Sequence, residues 1–367
     1  MSGKYYIGIM SGTSMDAIDC AVVEFKGESF SLKAQQSFAY PAETKARIKD
    51  IFAQDYQLSL FDFGDLDYQL AESYAQCVKQ ILAANKLNVE DIIAIGCHGQ
   101  TVYHQPQGVR KFSIQLGSGN VLTALTGIPV VNDFRNKDMV FGGQGAPLVP
   151  AFHQAFFADK DTPRVILNLG GIANITCLHP EKALIGFDTG PANTLIDQWI
   201  NKHRGQAYDQ AGSWGRGGIL LPELLDRLMQ DPYFVQSAPK STGLEYFNLQ
   251  WLENQLSTDE HIQDVQATLH HLTARSIAEA ILAYQADTKA LYVAGGGARN
   301  EFLLSLLREY LPDINVQAIN ALGIDEAWIE TIAFAWFAYC HINKIKIPFS
   351  MTTGSNKDVI TGSYHAC

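Results

Sequence analysis

Long apolar runs, basic clusters and paired cysteines are all missing from this chain, and each absence removes a class of function. The longest near-apolar stretch, residues 332–340, is far too short to span a bilayer. No Lys/Arg-rich run interrupts a sequence of formal net charge −11, which excludes a general nucleic-acid or anionic-membrane surface. A small anionic ligand stays open, because a few backbone amides and one metal ion grip it locally. Cys20, Cys77, Cys97, Cys177, Cys340 and Cys367 contain no C-x-x-C pair. Four of the six sit in apolar strand or helix patterns, as buried small hydrophobes do, which fits a reducing compartment. The start of the chain lacks the basic-then-apolar pattern of a secretory signal, so a soluble, cytoplasmic protein is expected. Neither a Walker A lysine motif nor a Gly-x-Gly-x-x-Gly with its downstream acid occurs, so any phosphate site belongs to neither of those folds.

What is present is an ordinary globular composition, 47% hydrophobic and 18% charged, over 367 residues. That length suggests two domains or one large α/β domain. The most informative segment runs from Tyr5 to Asp19. An apolar strand (Tyr6, Ile7, Ile9) enters a turn of Ser11, Gly12, Thr13 and Ser14, and a second strand leaves from Ile18 with Asp16 and Asp19 at its start. Small and hydroxyl residues at such a turn let backbone N–H groups crowd around an anion. Carboxylates beside a phosphate-sized site suit a divalent cation, since they would repel the phosphate itself. An ordinary hairpin turn is the alternative, but the pattern recurs. Strand-like runs also end in Gly170 and Gly171, and in Gly295, Gly296 and Gly297.

Between these turns, helical spacing predicts helices over residues 68–84, 265–284 and 325–341. Strands are predicted at 92–96, 112–116, 128–131, 164–169, 183–187 and 290–294. Residues 132–150 are rich in Gly and Pro and read as the hinge between two halves, while 205–245 look irregular. Strands mixed with long helices indicate an α/β protein. Asp188 stands at a strand end just before Thr189, Gly190 and Pro191, where an open α/β sheet presents catalytic groups. An N-cap aspartate is the competing reading. His98 and His104, six apart, gather no carboxylate or cysteine into a tetrahedral metal set and suit polar contacts to a substrate or plain loop structure. Asp133 and Arg135 either line a site or form a structural ion pair. Glu330 lies on a helix dressed for the core, as a surface acid with a buried stem or as a site residue.

Six blocks carry a resemblance. They are Ile9-Met-Ser-Gly-Thr-Ser-Met-Asp-Ala-Ile-Asp19, Gly96-Cys-His-Gly-Gln-Thr101, Gly127-Ile-Pro-Val-Val-Asn-Asp-Phe-Arg135, Gly142-Gly-Gln-Gly-Ala-Pro-Leu-Val-Pro150, Asn168-Leu-Gly-Gly-Ile-Ala-Asn174 and Gly186-Phe-Asp-Thr-Gly-Pro-Ala-Asn193. In this order they resemble the 1,6-anhydro-N-acetylmuramic acid kinase family, nearly end to end. That family lies within the superfamily of actin-like, sugar-kinase and heat-shock-chaperone ATPases. The resemblance implies an α/β, two-domain actin-like (ribonuclease H-like) fold, each domain a mixed five-stranded sheet with flanking helices, and a cleft between. It places the N-terminal domain at 1–135 plus 346–367 and the C-terminal domain at 136–345. ATP phosphates would lie on Gly12, Thr13, Ser14, Met15, Asp16, Ala17, Ile18 and Asp19, opposed by Gly170, Gly171 and Asn174 and by Gly295, Gly296 and Gly297. Mg²⁺ would meet Asp16 or Asp19, directly or through water. His98, Asp133, Arg135 and Gln144 would bind the sugar, a small molecule, with no nucleic-acid or membrane partner and a homodimer as the implied assembly.

Asp188 matches the family's base and Glu330 a glutamate that touches the sugar. The implied reaction opens the 1,6-anhydro bridge with water and phosphorylates O6 from ATP, giving N-acetylmuramate 6-phosphate in peptidoglycan recycling. Departures are modest: Met15 and Ala17 replace the usual Leu and Gly, Ala192 replaces a Gly, and the tail after Thr353 diverges. Two rivals stand beside this reading. An ordinary amino-sugar kinase would prefer intact sugars with no ring opening, and a nucleotide-driven chaperone-like ATPase would hydrolyse ATP slowly without sugar.

Overall fold

A computed structural model describes residues 4–12, 15–52, 57–257 and 259–367. The chain divides into two compact units, Met1–Phe156 with Ala327–Cys367, and Phe157–Glu326. Unit 1 starts with the strands β1 (Tyr5–Met10), β2 (Ala17–Lys26) and β3 (Ser29–Ala39), then the helices α1 (Ala42–Ile51) and α2 (Leu60–Ala84). There follow β4 (Ile92–Cys97), a hairpin of β5 (Gln100–Gln105) and β6 (Phe112–Leu116), α3 (Gly119–Thr126), β7 (Val130–Asn132), α4 (Phe134–Val140) and α5 (Pro150–Phe157).

Unit 2 has β8 (Arg164–Leu169), β9 (Ile172–Leu178) and β10 (Ile185–Pro191), then α6 (Asn193–Arg204), α7 (Ser213–Arg216), α8 (Pro222–Met229), α9 (Leu249–Glu253) and α10 (Ile262–Gln285). It closes with β11 (Ala290–Ala294), α11 (Glu301–Tyr310) and β12 (Asn315–Ala318). The chain then re-enters unit 1 as α12 (Ile329–Ile342), α13 (Ser350–Thr353) and β13 (Ser363–His365).

The two main sheets share one topology. Unit 1 orders its strands β13-β7-β4-β1-β2-β3 and unit 2 orders them β10-β9-β8-β11-β12. In each, three antiparallel strands form a meander (β1-β2-β3; β8-β9-β10) and the first strand also pairs in parallel with later ones (β1-β4-β7; β8-β11-β12). The α/β class with mixed sheets follows the expectation, and unit 2 has the five strands anticipated. Unit 1 has six, because the tail returns as β13 antiparallel to β7.

The compact units differ in extent from the expected domain limits: residues 136–156 and α12 fall in unit 1. The physical reason for α12 is close packing on glycine. A Cβ at Gly8 would overlap the carbonyl oxygen of Thr331, and one at Gly96 that of Phe334. Gly8 and Gly96 are register partners across β1 and β4, so the bare backbone of two adjacent strands forms the seat of the helix. Phe334 and Phe337 then pack on Phe134, ring centroids 5.4 and 5.7 Å apart. On the sheet's other side α2, capped by the Ser59 hydroxyl on the Asp62 N–H, buries Leu70, Tyr74, Val78 and Ile81.

The strands read as 183–187 and 92–96 extend further. β10 runs through Asp188 to Pro191. β3, β9 and β12 had no separate signal in the sequence. All six cysteines are free and all but Cys367 are buried; burial pushes the Cys97 thiol up to about 12, which makes it inert. Among the described residues, no helix is long and apolar enough to cross a membrane.

Candidate active site

In unit 2, the ends of β8, β10 and β11 bring three of the sequence-predicted segments together. Gly170 and Gly171 turn the chain from β8 into β9, and both carbonyls are used. Gly170 O accepts the Asn193 N–H at 3.1 Å, and Gly171 O accepts the N–H groups of Ala192 (2.9 Å) and Thr194 (3.1 Å). The Asn193 side chain donates to Leu169 O (3.0 Å) and Gly170 O (2.8 Å) and so locks this turn to the start of α6. Ala294 pairs with Asn168, which puts the glycine run after β11 beside the same turn. Gly295 has φ +83°, and a Cβ at Gly297 would come within 2.6 Å of Leu169 Cβ. Gly296 is exposed, with open space where a side chain would project. Two of the three glycines are therefore required by the protein itself, and the middle one leaves room.

Asp188 lies opposite Asn174 in the β9–β10 register, and the ladder slips by one residue just after it. A bulge of this kind re-aims a side chain. The N-cap reading falls away, because Ala192 occupies that position at α6. Thr242 N–H donates to the Asp188 carboxylate at 3.0 Å, the Asp188 N–H donates to Lys240 O at 3.1 Å, and the Tyr233 hydroxyl donates to Asp188 O at 2.6 Å. Burial pushes the Asp188 carboxyl up to about 6, opposed only by the Thr242 N–H. No ion pair to Asp188 forms among the described residues. A carboxyl held this way titrates close to neutrality and takes up a proton readily. Tyr233, Lys240 and Thr242 escaped the sequence reading because they lie 45 to 54 residues away in the segment read as irregular. Asn193 lies in the same motif as Asp188, and its place after Gly-Pro-Ala at a helix start was the available signal.

In unit 1 the β1–β2 turn closes with the Met15 N–H on Gly12 O at 3.0 Å, and Met15 has φ +53°. Thr13 and Ser14 lie outside the described residues. Met15 and Ile18 point into the core, so only their backbone is open to a ligand. Ala17 is half-buried at the start of β2. Ser11 is buried, its hydroxyl 2.8 Å from the Tyr74 hydroxyl. Asp16 is exposed, 3.7 Å from the Lys45 ammonium. Asp19 sits in β2, accepts from the Ser37 hydroxyl, and is raised above the ordinary carboxylate range by burial.

A second group in unit 1 is built around His98. Arg135 donates from Nε (3.1 Å) and Nη2 (2.9 Å) to His98 Nε2, and from Nη1 to Gly145 O at 2.6 Å. Two donors on Nε2 assign the proton to Nδ1. Burial, with Arg135 adding to it, holds the imidazole well below its ordinary pKa, hence neutral, against the Phe334 ring at 4.6 Å. The metal-pair reading of His98 and His104 ends here, since His104 Nδ1 instead meets the Ser113 hydroxyl at 3.0 Å. Arg135 and Asp133 do not pair with each other. Asp133 adopts φ +53° and accepts from Asn136 at 2.6 Å; a non-glycine residue in that region is a strained position of the kind found at ligand sites. His98, Ser113, Gln115, Asn132, Asp133 and Asn136 line a recess of about 210 Å³.

Gln144 is held through its backbone, its N–H on Thr353 O at 2.8 Å. Glu330 keeps solvent contact at the start of α12, yet surrounding protein raises its carboxyl, Arg135 pulls it back down, and Asp19 raises it again. Glu330 thus feels both Arg135 and Asp19 electrostatically.

The family model described as anhydro-N-acetylmuramic acid kinase matches residues 4–366. The chain belongs to the anhydro-N-acetylmuramic acid kinase family. It is 43% identical over 364 residues to the anhydro-N-acetylmuramic acid kinase of Pasteurella multocida, covering 98% of this chain and 96% of that one. It is 44% identical over 361 residues to that of Nitrosomonas europaea, covering 98% and 99%. Among solved structures, component A of the (R)-2-hydroxyglutaryl-CoA dehydratase of Acidaminococcus fermentans is a distant likeness, with TM-score 0.47 and 14% identity over 92% of this chain and 98% of that one.

The protein is therefore a kinase, and ATP is the phosphoryl donor its family uses. For a divalent cation, the donor set of unit 1 fits one kind of site. Among the described residues no three His, Cys, Asp or Glu side chains gather. One half-buried and one exposed carboxylate suit Mg²⁺, which keeps several waters and binds through one or two carboxylates plus phosphate oxygens.

Proposed function

We propose that Asp188 is the general base of a coupled hydrolysis and phosphoryl transfer on 1,6-anhydro-N-acetylmuramic acid. Water attacks C1 and gives its proton to the Asp188 carboxylate. The C1–O6 bond breaks, and O6 takes the γ-phosphoryl group of ATP, leaving N-acetylmuramate 6-phosphate and ADP. Capture of the phosphoryl group offsets the charge developing on O6, an otherwise poor leaving group. The observation that carries this reading is a buried carboxyl with no ion-pair partner among the described residues, held by the Thr242 N–H and pushed up to about 6 by burial.

Gly12, Asp16, Asp19, the glycine turns of unit 2 and Asn174 belong to the nucleotide in this reading. His98, Asp133, Arg135, Gln144 and Glu330 belong to the sugar. Neutral His98 and fixed Arg135 offer directed polar contacts to the sugar at little reorganisation cost. Mg²⁺, held by Asp19 with Asp16 through water, would supply charge neutralisation at the phosphates. A homodimer in the cytoplasm completes the proposal.

The mass of the product from ATP, Mg²⁺ and the anhydro sugar is the test. A gain of one phosphoryl group and one water is expected. A gain of the phosphoryl group alone would mean an ordinary sugar kinase.

A further inference from the structure

The edge of the unit 2 sheet carries a device that the chemistry above does not use. β10 is an edge strand, so its outward N–H and C=O groups need partners. Residues 233–242 supply them at Asp188: Lys240 O takes its N–H, the Tyr233 hydroxyl serves its C=O, and the Thr242 N–H reaches its carboxylate. A buried side chain helps tie the segment to itself. The buried Lys240 ammonium donates to Tyr233 O at 2.9 Å and Phe234 O at 3.2 Å and lies 4.5 Å from the centroid of the Tyr233 ring. Among the described residues it has no carboxylate partner. Burying an ammonium this way is costly, and two main-chain carbonyls with the faces of the Tyr233 and Phe187 rings compensate it only while the loop keeps this shape.

We propose that Lys240 and Tyr233 are positioning residues for Asp188: they lock residues 233–242 onto the open edge of β10 and so keep the Thr242 N–H on the carboxylate. The inference rests on Asp188 being the base. Lys240 touches no reacting atom; it acts through Thr242 and through the backbone of β10.

The test uses the full-length enzyme with ATP, Mg²⁺ and the anhydro sugar. Lys240→Met keeps the length of the stem and removes the ammonium. Its kcat is expected to fall between about tenfold and about a hundredfold, the usual effect of a small misplacement, with KM for ATP unchanged. The acid limb of kcat/KM should move to higher pH, because a carboxylate that loses an N–H donor is protonated more easily. Lys240→Arg should recover part of the activity, and Tyr233→Phe should show the same limb displacement in smaller degree. A fall in kcat with the limb unmoved would reduce both residues to a purely structural role and overturn the proposal, as would unchanged kinetics. If Lys240→Met does not fold, the limb of Tyr233→Phe decides alone. Asp188→Asn run in parallel separates the two ideas. Turnover retained in that variant overturns the base assignment and the positioning with it, whereas an inactive Asp188→Asn beside an unmoved limb in Lys240→Met overturns only the positioning.

Discussion

The two units repeat one strand order but use glycine and charge in opposite ways. Unit 1 places glycine inside its central strands, at Gly8 and Gly96, where it admits α12 to backbone contact. The middle of the central pair of unit 2 is aliphatic and aromatic, with Val165, Ile166 and Leu167 against Leu291, Tyr292 and Val293, and the glycines of these two strands stand just past their ends. A glycine within a strand here serves packing; one after a strand clears space for a ligand and permits a turn. Charge follows the same division. Unit 1 sets a fixed cation, Arg135, among its polar residues, where it adds to the burial that keeps His98 neutral and pulls Glu330 down. Unit 2 leaves Asp188 without one. The first arrangement suits recognition and the second suits proton transfer.

The largest effect should come from removing the uncompensated carboxylate. Asp188→Asn is expected to lower kcat on the order of a thousandfold or more, the range lost with a general base, while ATP still binds by calorimetry. Wild-type turnover in that variant would end the division of labour between the units. Next, Gly8→Ala should cost about 3 kcal/mol or more by chemical denaturation, since its Cβ meets backbone that has nowhere to move. A neutral result would mean that α12 does not rest on the strands of unit 1.

Asp188→Asn should also stabilise the fold, in a pH window that follows from the direction of the shift. The carboxyl titrates at about 6 folded against an ordinary value of 3.8, so ionisation penalises the folded state. The penalty grows as pH rises from about 4 to about 6 and is complete above that. Removing it should therefore add up to about 3 kcal/mol at neutral pH, falling to nothing near pH 4. Melting curves of both forms across this range check it, and a gain that is flat with pH would refute the assignment. Smallest is Arg135→Ala, expected to lower kcat/KM for the sugar between about tenfold and about a hundredfold by leaving His98 Nε2 buried without donors, with KM for ATP unmoved. A matching loss in ATP affinity would instead link Arg135 to the nucleotide.

Much of this was legible locally. Strand cores such as Ile7, Ile9, Val165 and Leu167 announce themselves by composition, α2 and α10 by periodicity, and the turns at Gly12, Gly170 and Gly295 by residues that tolerate special backbone angles. Asp188 was legible because it stands in one contiguous block with Thr189, Gly190 and Pro191. The ownership of α12 was not, because an apolar helix following β12 in the chain reads as part of the same unit. Only the coincidence of Gly8 and Gly96 with the carbonyls of Thr331 and Phe334 reassigns it, and that match spans more than 230 residues of chain.

What the sequence determined by itself is therefore the kind of protein: an α/β kinase of the anhydro-N-acetylmuramic acid kinase family, with a carboxylate in a strand just before Thr-Gly-Pro and glycine turns elsewhere in the chain. These depend on residue type and short spacing, which a linear reading preserves. What the tertiary structure decided is the electrical state of the key groups. Asp188 is raised by burial and steadied by Thr242, His98 is neutral under Arg135, and Lys240 is buried on two carbonyls. Desolvation and hydrogen bonding depend on which distant segments arrive beside a group, and only the folded chain brings those segments together.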